Sequence, residues 1–260
     1  MTLYRKLHWL TRMGVEETIS ETPINRLKKQ EKTLSIPIQP SAEISPIKKT
    51  SSTETIVQNA IAIANSATDI SSLFNALQTF NIAPLKKTAA NSVFSKGNPK
   101  ASLMIVGDVP EASDDLSGKP FTGEAGEMLS KMMAGIGLDI EKDCYLTTIL
   151  PWRTPGGRKP TSTEMAYCLP FIKRHIEIIN PRFILLFGAL TSGALLGIDS
   201  LSRARGIFHP YQSEKLSSPI PTIATFSPSY LLKNQLHKKY AWEDLKRLKT
   251  KITESECESS

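Results

Sequence analysis

Cysteine is scarce in this chain: there are three in 260 residues, Cys144, Cys168 and Cys257, with no Cys-x-x-Cys pair among them. Such a set cannot build a disulfide framework, so reduced thiols are expected. No apolar run approaches the roughly 20 residues that a membrane-spanning helix requires. Near the N-terminus Arg5, Lys6 and Arg12 surround a short stretch with Trp9 and Leu10, too brief and too interrupted for a signal-peptide core. A cytoplasmic location without membrane association is expected. The chain has no internal repeat, and residues 22–52 hold no aromatic residue at all.

What is there fits a globular protein. The hydrophobic fraction is 40%, the charged fraction 22% and the formal net charge +7. A basic balance suits a polyanionic partner, although charge by itself discriminates poorly. Leu3, Leu7, Trp9 and Leu10 have the spacing of a short amphipathic helix, giving an N-terminal helical extension over residues 1–21. Residues 22–52 mix Pro23, Pro37, Pro40 and Pro46 with Lys28, Lys29, Lys32, Lys48 and Lys49. That stretch buries too little apolar surface to order itself and reads as a flexible linker. A helical lead-in over residues 53–71, a main domain over 72–252 and a tail over 253–260 follow.

From residue 101 short apolar runs alternate with helical patterns. Strands are expected at residues 103–106, 145–150, 183–187 and 220–226. Helices are expected at 53–67, 70–80, 125–136, 161–179, 189–196 and 238–252, the fourth of these kinked at Pro170. Thr161 and Glu164 have capping-box spacing, and Asp69 suits an N-cap. The alternation predicts an α/β fold, an open and mostly parallel sheet flanked by helices in a three-layer sandwich. Ligands of such sheets bind beyond the carboxyl ends of the strands.

Four segments fall at those ends. Gly107-Asp108-Val109-Pro110-Glu111 places a carboxylate past the first strand, where an ordinary acidic turn is an equal reading. In Gly118-Lys119-Pro120-Phe121-Thr122-Gly123-Glu124-Ala125-Gly126 the glycines allow close backbone approach, and Phe121 could stack on a planar base or staple the helix that follows. The loop from Leu150 to Pro160 holds Arg153, Arg158 and Lys159 beside Trp152, a combination for phosphate contact or for a solvated basic loop. Ser227-Pro228-Ser229-Tyr230-Leu231-Leu232-Lys233 reads as a helix start aimed at the site, or as a cap alone.

In order and spacing these segments resemble the uracil-DNA glycosylases of family 4, whose typical members carry an iron–sulfur cluster. The resemblance spans about residues 73–248. It implies base-excision repair: a deoxyuridine is flipped out of uracil-containing DNA, single- or double-stranded, and its N-glycosidic bond is hydrolysed. Carried over residue by residue, it makes Asp108 and Ser227 the catalytic positions. Gly107, Val109, Phe121 and Thr148 become base-binding, and Arg153, Arg158, Lys159, Ser229, Tyr230 and Lys233 DNA-binding.

The pocket departs from the family pattern. Asp108 replaces a Glu, Glu111 a Gly, Thr148 the uracil-reading Asn, Ser227 the His that stabilises the leaving base, and Gly157 an Asn. Of four cluster-ligand positions only Cys168 keeps its cysteine; Phe80, Ala83 and Trp152 stand at the others. One thiolate cannot hold a cluster that needs four, so no cofactor and no metal are expected. A monomer is expected. Three readings stand side by side: a glycosylase, a degenerate member that binds DNA or a damaged base without turnover, and a doubly wound domain serving a nucleotide or a protein.

Overall fold

The computed structural model of the chain describes residues 49–80 and 84–257. The expected N-terminal extension lies outside the described residues, as does the expected linker up to residue 48. The strands are β1 Ser95–Gly97, β2 Leu103–Gly107, β3 Cys144–Thr148, β4 Phe183–Phe187, β5 Phe208–Tyr211 and β6 Ile220–Thr225. The helices are α1 Lys49–Ser66, α2 Ile70–Thr79, α3 Ala112–Ser117, α4 Gly123–Gly135, α5 Ser162–Ile179, α6 Ala189–Leu196, α7 Leu201–Ala204, α8 Pro228–Lys233 and α9 Lys238–Cys257.

The strands form one six-stranded sheet in the order β1-β3-β2-β4-β6-β5. β3, β2, β4 and β6 run parallel, and β1 and β5 close the edges antiparallel. Parallel strands covered on both faces must be apolar at every position, which is why Leu103 to Val106 and Phe183 to Phe187 are continuous hydrophobic runs. Their side chains divide by the period of two. Met104, Val106, Ile184 and Leu186 enter a core with α1, α2 and α5. Leu103, Ile105, Phe183, Leu185 and Phe187 enter a second core with α4 and α9. Each fully buried Leu or Ile contributes about 1.5–3 kcal/mol to this three-layer arrangement.

Several boundaries differ from the sequence expectation. α1 starts at Lys49 rather than residue 53, because no proline follows Pro46 to stop it. Its Ala60 and Ala64, and Leu73 and Leu77 of α2, are fully buried in the main core, so the lead-in belongs to the domain. α9 runs on through residues 253–257 of the expected tail. α5 runs from Ser162 to Ile179 with Pro170 inside it, as the expected span has it. The Thr161–Glu164 capping box forms as expected: the Thr161 hydroxyl accepts the Glu164 N–H at 3.2 Å, and the Glu164 carboxylate accepts the Thr161 N–H at 2.7 Å. The edge strands β1 and β5 carry partly exposed residues and lack an apolar run, so periodicity does not announce them.

Chain order reverses between β2 and β4: β3 lies on one side of β2, and β4 with β6 on the other. At such a switch point the loops beyond neighbouring strands part and leave a crevice. Gly107 ends β2 and Gly188 follows β4, so the crevice opens beside Asp108.

Candidate active site

Two glycines let Phe121 and Asp108 sit where they do. A Cβ on Gly107 would fall 2.7 Å from the Phe121 ring, so only glycine lets that ring lie across the end of β2. Phe121 has φ 54°, a left-handed conformation that costs a non-glycine residue free energy and is held by its surroundings. The surroundings are explicit. The Thr122 N–H and hydroxyl both donate to the Asp114 carboxylate, at 2.7 and 2.8 Å. Gly126 lies so close that a Cβ there would be 2.0 Å from the Phe121 carbonyl oxygen. The ring meets Phe187 edge-on with centroids 5.9 Å apart. Phe121 therefore packs against the second core and also presents a fixed surface to the crevice.

Asp108 turns toward β4. Its Oδ1 accepts the Thr191 N–H at 3.0 Å, in the first turn of α6. A Cβ on Gly188, whose φ is 96°, would lie 2.0 Å from Oδ2. Burial raises the Asp108 carboxyl to about 6, and the hydrogen bonds from Thr191 oppose that rise. The group is thus a carboxylate at neutral pH that takes a proton more readily than an ordinary aspartate.

Thr148 is paired with Gly107 across β2 and β3 and is buried. Its hydroxyl donates to the Leu150 carbonyl at 2.7 Å. With the proton committed, Oγ1 offers the crevice a lone pair. Ser227 is the reverse case. It caps α8 by accepting the Tyr230 N–H at 3.3 Å, so its own proton remains for a ligand.

These groups meet in one cavity of about 200 Å³, lined by Gly107, Asp108, Val109, Phe121, Thr148, Ser227 and Ser229 among others. All six positions expected to be catalytic or base-binding are in the lining, and Ser229 joins them. Asp114, Ala125, Phe187 and Pro228, to which the sequence assigns no role, also line the cavity. Gly188 stands at a strand end where a ligand site is expected, whereas Thr191 had no sequence signal beyond a helix start after a buried strand. Asp108, Glu111 and Asp114 line the cavity, and among the described residues no lysine, arginine or histidine does. Asp114 is occupied in fixing Thr122 and the Glu111 N–H, the latter at 3.0 Å.

The basic loop, Tyr230 and Lys233 stand outside the lining. Arg158 is a clasp: Nη1 and Nη2 donate to both Glu164 oxygens at 2.8 and 2.6 Å, tying the loop to α5. The guanidinium holds the Glu164 carboxyl down at about 2. Thr154, fully buried, closes the same loop by donating to the Arg158 carbonyl at 2.6 Å. Lys159 is exposed and Arg153 half-buried.

The positions that would ligate an iron–sulfur cluster do not fit one. Phe80, Trp152 and Cys168 are buried in the main core. Phe80 packs on Phe171 with centroids 5.3 Å apart, and the Trp152 indole N–H donates to Ser92 Oγ at 2.9 Å. Burial pushes the Cys168 thiol up, away from the thiolate that a metal needs. Among the described residues no group of His, Cys, Asp and Glu could hold a metal ion. Ala83 lies outside the described residues.

Comparison with known proteins agrees with this geometry. The family model of the uracil DNA glycosylase superfamily matches residues 94–246. The type-4 uracil-DNA glycosylase of Archaeoglobus fulgidus is 34% identical over 170 residues, covering 63% of this chain and 83% of the relative. That of Saccharolobus solfataricus is 31% identical over 175 residues, 65% of this chain and 80% of the relative. For the type-4 enzyme of Thermotoga maritima the figures are 32% over 171 residues, 65% and 87%.

Proposed function

The chain belongs to the uracil-DNA glycosylase superfamily, and from that premise we propose that it is a DNA repair enzyme hydrolysing the N-glycosidic bond of a deoxyuridine flipped into the Phe121 cavity. The observation that carries this reading is the convergence of Asp108, Phe121, Thr148 and Ser227 on one cavity at the switch point of the sheet.

Each residue has a part set by its existing bonds. Phe121 stacks on the uracil ring, its backbone already fixed, so little ordering accompanies binding. The Thr148 lone pair accepts from uracil N3–H. As the bond between sugar C1′ and uracil N1 breaks, its electron pair passes to the base and positive charge grows on the sugar. A water oxygen forms the new bond to C1′, and Asp108 receives the water's proton. The Ser227 hydroxyl donates to the carbonyl oxygen of the departing base, where negative charge develops. With no cation in the lining among the described residues, that charge meets the neutral Ser227 donor, which predicts slow turnover.

The same reading has the enzyme working as a monomer in the cytoplasm on uracil-containing single- or double-stranded DNA, with Arg153, Lys159, Ser229, Tyr230 and Lys233 on the DNA side. It works without an iron–sulfur cluster, supported by the apolar packing around Cys168 and Trp152. The test is incubation with a uracil-containing oligonucleotide followed by alkali. Strand cleavage well above that of Asp108→Asn supports the reading. Salt-sensitive binding with no cleavage at all would overturn it.

A further inference from the structure

Beyond Ser229 the chain leaves the cavity and carries a group of rings. Phe226 follows β6, Tyr230 lies in α8, His237 ends the turn Gln235–His237, and Tyr240 is in the first turn of α9. Three of these rings are nearly parallel. Phe226 and Tyr230 have centroids 5.3 Å apart at 12°, Phe226 and His237 4.9 Å at 21°, and Tyr230 and His237 5.5 Å at 15°. Tyr240 stands 6.0 Å from His237. Tyr230 and Tyr240 are each 38% exposed, whereas Tyr145 and Tyr211 of the core are buried.

The rings are set before any ligand arrives. The Tyr230 hydroxyl and His237 Nδ1 are hydrogen-bonded at 2.8 Å. From beneath, the Arg205 guanidinium lies 5.6 Å from the Phe226 centroid and 5.1 Å from that of Tyr240. It is fixed there by both oxygens of the buried Asp244, at 3.1 and 2.9 Å, and by the Tyr240 carbonyl at 2.9 Å. Thr225 at the end of β6 donates to the same carboxylate at 2.7 Å. A preset surface loses little conformational freedom on binding.

The charge of the segment has one sign. Residues 227–242 contain Lys233, Lys238 and Lys239 and no aspartate or glutamate. Lys239 Nζ lies 4.8 Å from the Tyr240 centroid, so a phosphate beside that ring meets a cation. Leu236, 86% exposed, adds apolar surface at the same turn. Partly exposed aromatic side chains beside lysines combine two things an unpaired strand uses, aromatic surface for its bases and cations for its backbone. Ser227, Pro228 and Ser229 of the cavity lining immediately precede Tyr230 in the chain.

We propose that Tyr230, His237 and Tyr240 form a stacking platform for the unpaired nucleotide next to the flipped one, so that the enzyme grips single-stranded DNA beside its cavity. The proposal rests on the glycosylase reading above. Paired bases hide their faces in the duplex stack, so the platform favours single strands or locally opened ones.

The test uses the full chain and single-stranded oligonucleotides in which 2′-fluorodeoxyuridine, which resists cleavage, has 2-aminopurine on its 5′ or its 3′ side. Quenching of 2-aminopurine fluorescence on one side is expected. His237→Ala with Tyr240→Ala should abolish the quenching and weaken single-strand binding about tenfold or more, and Tyr240→Phe should keep both. On a cleavable single strand the double variant should raise KM far more than it lowers kcat. If the double variant loses its melting transition, His237→Ala alone carries the same test. Unchanged quenching in a folded variant, or equal losses on single strand and duplex, would overturn the platform. Uracil release without quenching on either side overturns the platform and leaves the glycosylase reading intact. Quenching without any uracil release does the opposite.

Discussion

The Asp108 carboxylate is held by the backbone N–H of Thr191, a residue 83 positions further along the chain, at 3.0 Å. The bond joins the loop after β2 to the helix after β4 across the switch point of the sheet. It orients one oxygen and partly offsets the effect of burial, which still raises the carboxyl to about 6.

That value sets the acid limb of activity. Asp108 must be ionised to accept a proton, so kcat/KM should climb between pH 5 and 7 and level off above. Asp108→Asn should lower kcat by at least about a hundredfold at pH 7. A wild-type profile flat from pH 5 to 7 would remove Asp108 from the role of base.

Gly188→Ala should lower activity although Gly188 is not part of the cavity lining. The new methyl group would stand 2.0 Å from Asp108 Oδ2 on a backbone with φ 96°, so both the carboxylate and the turn must move. A loss of about 1–3 kcal/mol in stability is expected, with kcat reduced more than tenfold. Denaturant titration and steady-state kinetics measure the two effects separately.

Ser227→His should speed uracil release about ten- to a hundredfold by adding a stronger donor for charge on the leaving base. It should also lower stability by about 0.5–2 kcal/mol, because Ser227 caps α8 through the Tyr230 N–H. Faster turnover in a less stable protein is the expected combination. Slower turnover would show that the cap outweighs the donor.

Arg158 and Lys159 are neighbours with different tasks. Lys159→Ala should reduce the salt dependence of DNA binding by about one counterion. Arg158→Ala removes the partner of the buried Glu164, so it should reduce stability while leaving the salt slope unchanged. Binding at several salt concentrations, alongside thermal melting, separates them.

His175 should make the fold acid-sensitive. It is buried, hydrogen-bonded to the Tyr145 hydroxyl at 2.7 Å and stacked on Phe94. Burial lowers its value from 6.5 to about 3. The unfolded chain therefore takes up the proton first. The stability attached to the neutral ring is complete above pH 6.5 and declines as pH falls toward 3. Between pH 7 and 5 the loss is about 2 kcal/mol. His175→Phe should remove that component from a pH series of denaturant titrations, whatever its effect at pH 7.

Much of this was legible in the chain because the signals are local. The short runs 103–106 and 183–187, each followed closely by a glycine, read as strands because a parallel strand covered on both faces is apolar at every position. Thr161 and Glu164 announced their helix start by spacing alone. The cavity residues were found because strand ends, glycines and the order of segments are all written in sequence. The short edge strands β1 and β5 were not, having no apolar period to mark them.

The sequence by itself determined the doubly wound sheet, the residues at its carboxyl edge and the membership in the glycosylase superfamily, all of which follow from periodicity and ordered motifs. Tertiary structure alone decided what each polar atom is free to do. Thr148 gives its proton to Leu150 and keeps a lone pair, whereas Ser227 accepts from Tyr230 and keeps its proton. Arg158, although exposed, pairs with the buried Glu164 and ties its loop to α5. Asp108 acquires its raised proton affinity from burial, and a helix 83 residues away moderates it through the Thr191 N–H. Hydrogen-bond partners and burial are properties of space, and residues far apart in the chain supply them.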